Sequence, residues 1–137
     1  MTSTTAPDAP PPEFAAGQVW SYRTRPGEED SALLINRVEP HEKLGPIFHI
    51  SLSGLRVPDA QAPDGLMREL PHCPVSLKTL RESCTVCRGQ ADANPEHEEG
   101  LATWRAAFDA GRAGIFTITV ADIVGVVEKT LGGSDTA

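Results

Sequence analysis

The sequence predicts an α+β domain: a twisted antiparallel sheet of three to five strands, with closure into a small SH3-like barrel as one outcome, and about three helices packed on one side or end. Three observations carry this. Residues 17–53 alternate in polarity with period two, residues 76–131 place apolar groups at helical spacings, and Pro and Gly punctuate the joins.

GQVWSYRT opens the ordered part and sets Trp20 and Tyr22 on one face of a strand. TRPGEED supplies a Pro-Gly turn, and SALLINRV follows as the second arm of a hairpin. Leu33 and Ile35 fall on one face of that arm and Leu34 and Val38 on the other, as expected of a central strand buried on both sides. GPIFHISLSG gives a third strand, with Phe48, Ile50 and Leu52 inward and His49, Ser51 and Ser53 outward.

PDAQAPDG reads as a loop, and DGLMREL as a short fourth strand or an extended lead-in. Ser76 can cap a helix over SLKTLRESCTVCR, ended by Gly89. A second helix over about 96–110 turns Leu101, Trp104, Ala107 and Phe108 inward. GIFTITV is a further strand. Thr119, three residues before Asp122, approximates a capping box and opens a last helix with Ile123, Val124, Val127 and Leu131 on one face. The ordered domain spans 14–131, between a Thr, Ala, Asp and Pro tail over 1–13 and a second tail over 132–137.

A chain of 137 residues, 39% of them hydrophobic, is long enough to bury one core without disulfides or a structural metal. The formal charge of −7 repels a phosphate backbone and disfavours nucleic acid as a partner. Three cysteines and no apolar leader point to a cytoplasmic setting, and no stretch is long enough to span a membrane.

PHCPVSLKTLRESCTVC holds all three cysteines. On one continuous helix from Ser76 to Arg88, Leu77, Leu80, Cys84 and Cys87 form a single apolar stripe, and reduced cysteine packs there as a small hydrophobe. A zinc centre would need Cys73 to meet Cys84 and Cys87 across that rod, and a redox CxxC belongs at a helix start rather than its end. Cys73, beside His72 and ahead of the helix, is the better placed thiol for nucleophilic chemistry, with an ordinary loop thiol as the alternative.

PEHEEG puts Glu96, His97, Glu98 and Glu99 at a helix start, where negative charge suits the dipole. No phosphate loop, nucleophile elbow or paired-carboxylate motif is present, so no catalytic residue, metal or cofactor is assigned. A binding surface is expected on the hairpin side carrying Tyr22, Arg23 and Arg25, with His49 and the loop at His72 as further ligand-binding candidates.

GQVWSYRTRPGEEDSALLINRVE, GLRVPDAQAPDG with PHCP, and WRAAFDAGRAGIFTITVADIV together resemble a family of small uncharacterised bacterial proteins, over roughly Phe14 to Glu128. The resemblance implies a bacterial cytosolic setting and transfers no functional residue. A looser similarity, at Gly17, Val19, Trp20, Gly27 and Glu28, links the hairpin to the small-barrel ribonuclease toxins of toxin-antitoxin pairs. The Arg-Pro pair that opens the second strand of those toxins is missing, because SALLI follows Asp30 directly.

The leading expectation is a non-enzymatic interaction or regulatory module with a protein partner. The alternatives are an RNA-binding or ribonuclease-like barrel, and a zinc or thiol-redox protein using Cys73, Cys84 and Cys87.

Overall fold

The computed structural model describes residues 13–133. In chain order its elements are β1 (Gln18–Tyr22), β2 (Ala32–Glu39), β3 (Ile47–Ser53), β4 (Val57–Pro58), β5 (Leu66–Met67), β6 (Leu70–Val75), α1 (Leu77–Ser83), β7 (Cys84–Gln90), α2 (His97–Asp109) and α3 (Val120–Gly133). Five strands form one antiparallel sheet in the order β6-β3-β2-β1-β7, and β4 pairs with β5 in a separate ladder. The fold is α+β as expected, with an open sheet rather than a closed barrel. The expected tails lie outside the described residues, apart from Glu13, which pairs with Arg81, and Gly132 and Gly133, which end α3.

The hairpin forms for the reason its sequence gives. Glu28 N donates to Arg25 O at 3.1 Å, closing a turn with Pro26 second and Gly27 third; Gly27 has φ +88°, which a type II turn needs at that place. β2 lies at the centre of the sheet, as predicted. Its alternation breaks at a bulge: Ile35 pairs with Ile50 but Arg37 pairs with His49, so Asn36 is the extra residue. Val38 therefore returns to the face of Leu33 and Ile35, opposite Phe48, and not to the other face as its spacing implied.

That face carries the core. Leu33, Ile35, Phe48, Ile50 and Leu52 pack with Cys73 and Val75 of β6, Leu80 of α1, and Val120, Ile123 and Val124 of α3. Ser76 caps α1, its Oγ accepting from Thr79 N at 3.1 Å, and Thr119 Oγ1 accepts from Asp122 N at the start of α3. Val127 also packs on the core, while Leu131 reaches solvent.

Three segments differ from expectation. The helix expected to run through Arg88 stops at Ser83, where Ser83 O accepts from Arg23 N and Ser83 Oγ accepts from Val120 N. The first bond takes the carbonyl that another helical turn would use, and the second pins the end of α1 to the start of α3. CTVCRGQ instead leaves as β7 alongside β1, as its β-branched Thr85 and Val86 favour.

PHCPV, expected as a loop, is the edge strand β6, where Pro71 and Pro74 are tolerated for lack of a neighbour needing their N–H. GIFTITV contributes only a bridge from Phe116 to Val75, lying beside β6. No helix among the described residues is long and apolar enough to cross a membrane.

Candidate functional site

Side chains at 49 and 51 point away from the core because they alternate with Phe48, Ile50 and Leu52. They were expected in solvent, yet His49 is 0% and Ser51 5% exposed, because α2 lies over this second face. The burial of a polar row requires partners, and the structure supplies them for both residues.

Glu39, His49 and His72 stand on three adjacent strands. His49 Nε2 lies 2.9 Å from Glu39 Oε1, and His49 Nδ1 lies 2.9 Å from His72 Nε2, with the two rings stacked at 5.1 Å. The carboxylate accepts only, so Nε2 of His49 carries the proton there. In the neutral ring, His49 Nδ1 then accepts from His72 Nε2–H, which leaves His72 Nδ1 bare.

α2 closes the array from above. Arg105 grips both oxygens of Glu39, and Trp104 meets His49 edge-on at 5.2 Å while its Nε1 donates to Gly114 O. Gly100 allows the approach: a Cβ there would lie 2.6 Å from the His72 Cβ.

The charges follow from these contacts. Arg105 holds the Glu39 carboxyl down at about 2, with His49 assisting against burial. Burial lowers His49 despite the pull of Glu39, with Arg105 and Arg37 adding to the effect. Burial, followed by the nearby His49 and His72–His97 repulsion, brings His72 to about 4. Both rings of the stacked pair are therefore neutral near pH 7.

Neither ring hydrogen-bonds a hydroxyl or thiol among the described residues, and His72 is too weak a base to activate one. Cys73 does not act as a nucleophile beside it: Cys73 points into the core, and burial pushes its thiol up to about 12.

Cys84 is likewise pushed up to about 12, chiefly by burial. The expected cysteine stripe does not form, since Cys84 and the exposed Cys87 sit on β7, at the opposite edge of the sheet from Cys73. Among the described residues, no group of three or more His, Cys, Asp or Glu side chains is placed to hold a metal ion.

Of the five expected ligand-binding residues, only His49 and His72 meet, and His72 lies on a strand rather than a loop. Tyr22 is buried in the core, its hydroxyl 2.6 Å from Ser31 Oγ. Arg25 pairs with the buried Glu28 and with Glu128 of α3, tying the turn to the helix. Arg23 is exposed at the end of β1. The hairpin group and the histidine pair are separate places.

The residues missed from sequence are those that dock α2. Asn94 N donates to Asn36 Oδ1, Asn36 Nδ2 donates to Ser51 Oγ, and Ser51 Oγ donates to Pro71 O. His97 follows, with Nδ1 2.6 Å from Asn94 O and 5% exposure. Beside this ladder a groove of about 600 Å³ opens between β2 and α2, lined by Asn36, Arg37, His97, Glu98 and Arg105 among others. On the other flank of α2 lies a groove of about 490 Å³ that includes His72, Glu99 and Thr103.

No protein-family model, curated protein or solved structure matches the chain, so residue roles rest on this geometry.

Proposed function

We propose that the protein is a non-enzymatic, cytosolic regulatory module that works by binding, with the groove between β2 and α2 as its ligand site. The supporting observation is that groove itself: a concavity of about 600 Å³ whose wall contains a buried histidine and an arginine outside the Glu39 array. The neighbouring histidine pair supports binding over chemistry, because it is closed on Glu39, neutral, and has no nucleophile to activate. The cytosolic setting is supported by the acidic charge and three unpaired cysteines.

A fragment screen by amide chemical shifts tests this reading, using carboxylates, phosphate esters, amines and sugars as probes. Shifts should gather at Asn36, Arg37 and the first two turns of α2. Ala102→Trp, at an exposed position lining the groove, should suppress them. Shifts gathered at Tyr22 to Arg25, or no shifts from any class, would reject the groove as the site.

A further inference from the structure

We infer that the groove between β2 and α2 recognises a phosphoryl group in a protonated form and discriminates against sulfate. The inference rests on the reading of this groove as the ligand site and adds the chemistry of the ligand.

His97 supplies the first observation. Its Nδ1 is 2.6 Å from Asn94 O, and a carbonyl only accepts, so Nδ1 carries the hydrogen. In the neutral ring Nε2 is then an acceptor, and it has no hydrogen-bond partner among the described residues although His97 is only 5% exposed. A buried acceptor left unpaired is destabilising, so a donor arriving in the groove has a place to bind.

Arg37 supplies the second. Its guanidinium makes no ion pair or hydrogen bond among the described residues, whereas Arg105 on the same groove is held by Glu39. The side-chain amide of Asn36 is already committed to Ser51 and to Asn94 N. Glu98 also lines the groove and offers a second acceptor with negative charge.

One free cation beside two acceptors fits an oxyanion that keeps an O–H of its own. A phosphate group retains such a proton around its second pKa of about 6, and it can accept from Arg37 while donating to His97 Nε2 or Glu98. Sulfate carries no proton near neutrality. It would face the bare ring nitrogen and the Glu98 carboxylate with acceptors only, which is the repulsive element that selectivity needs.

The test uses the full chain, isotope-labelled, at pH 6.5 and again at pH 7.5 and at constant ionic strength, titrated separately with inorganic phosphate, phenyl phosphate and sulfate. Phosphate should give saturable shifts at the Arg37 guanidinium and the His97 ring, with sulfate weaker by about tenfold or more. His97→Asn keeps a donor toward Asn94 O and removes the Nε2 acceptor, so it should lower the phosphate-to-sulfate ratio several-fold, with Glu98 left as the remaining acceptor. Arg37→Gln, at an exposed position whose side chain bonds to nothing else among the described residues, should weaken both anions.

Phenyl phosphate binding more tightly than inorganic phosphate would place the group on an organic carrier, and equal binding would leave the free ion as ligand. Equal binding of sulfate and phosphate, the absence of saturation, or shifts that survive both substitutions would mean an adventitious ion only and overturn the inference. Fragments of another class saturating the same groove would overturn the phosphoryl assignment while leaving the groove as the ligand site.

Discussion

The two faces of the central sheet are covered by opposite chemistry. On one, Leu33, Ile35, Phe48, Ile50 and Leu52 meet α1 and α3 through apolar contact alone. On the other, Asn36, Ser51 and Glu39 meet α2 and its lead-in through directed hydrogen bonds, and His49, held by Glu39 and His72, meets the edge of Trp104. The first face gains from area and tolerates small displacements. The second has no tolerance of that kind, because each buried polar group is stabilised only while its partner is in place.

The sharpest contrast comes from Ile50→Ala on the apolar face. Ile50 is 0% exposed, so truncation leaves a cavity and should lower stability by about 2 to 5 kcal/mol, read from the denaturant midpoint at unchanged slope. A loss under about 1 kcal/mol would mean that the apolar face is not the main support of the fold.

Of the two faces, the polar one should respond to acid, and in two windows. His72 falls to about 4 in the folded chain, below the ordinary histidine value of 6.5, so its contribution is present above pH 6.5 and is lost as pH falls through 4. Glu39 falls to about 2 from 4.5, so its contribution holds above pH 4.5 and is lost only in stronger acid. The His72 limb is on the order of 2 kcal/mol after allowing for its partial solvent contact and its coupling to His49. His72→Asn should shrink the fall of the melting temperature between pH 6.5 and 4, leaving the part that His49 carries, and keep the lower limb. An unchanged upper limb would show that another group titrates there.

The same asymmetry decides what the sequence could reveal. Apolar alternation located β1, β2, β3 and the core positions Phe48, Ile50 and Leu52, because a sheet face packed by area needs only the right residue class at every second place. The same rule placed His49 and Ser51 in solvent. A period-two pattern reports polarity, and nothing in His-Ile-Ser says that Asn94 or Trp104, some forty residues and more downstream, will cover it.

β7 was hidden for a related reason. Leu77, Leu80, Cys84 and Cys87 carry helical spacing, but the end of α1 is set by Arg23 and Val120, which lie far from it in the chain. Of the histidines around α2, His49 and His72 were expected as ligand-binding candidates without their mutual contact, and His97 was read with the glutamates at the helix start. A histidine followed by two glutamates satisfies that reading whether its ring is buried or not.

Ser51→Ala probes the polar face at its most connected atom. Ser51 Oγ donates to Pro71 O at 2.6 Å and accepts from Asn36 Nδ2 at 2.8 Å, so the substitution orphans two groups without opening a large cavity. The expected loss is about 1 to 2 kcal/mol, with faster hydrogen exchange at the start of α2, since Asn36 also holds Asn94 N. A loss without altered exchange in α2 would separate the ladder from the docking of the helix.

The smallest effect belongs to the polar contact that Tyr22 reaches from the apolar side. Tyr22→Phe keeps the ring in the core and removes only the hydroxyl bonded to Ser31 Oγ. It should cost about 0.5 to 1.5 kcal/mol by thermal or denaturant unfolding. Tyr22 and Ser31 form an isolated pair, so the loss ends with one orphaned hydroxyl, whereas Ser51 sits in a chain whose members orient one another. If Tyr22→Phe proved as damaging as Ser51→Ala, connectivity would add nothing on the second face, and the hold on α2 would reduce to the burial of Trp104.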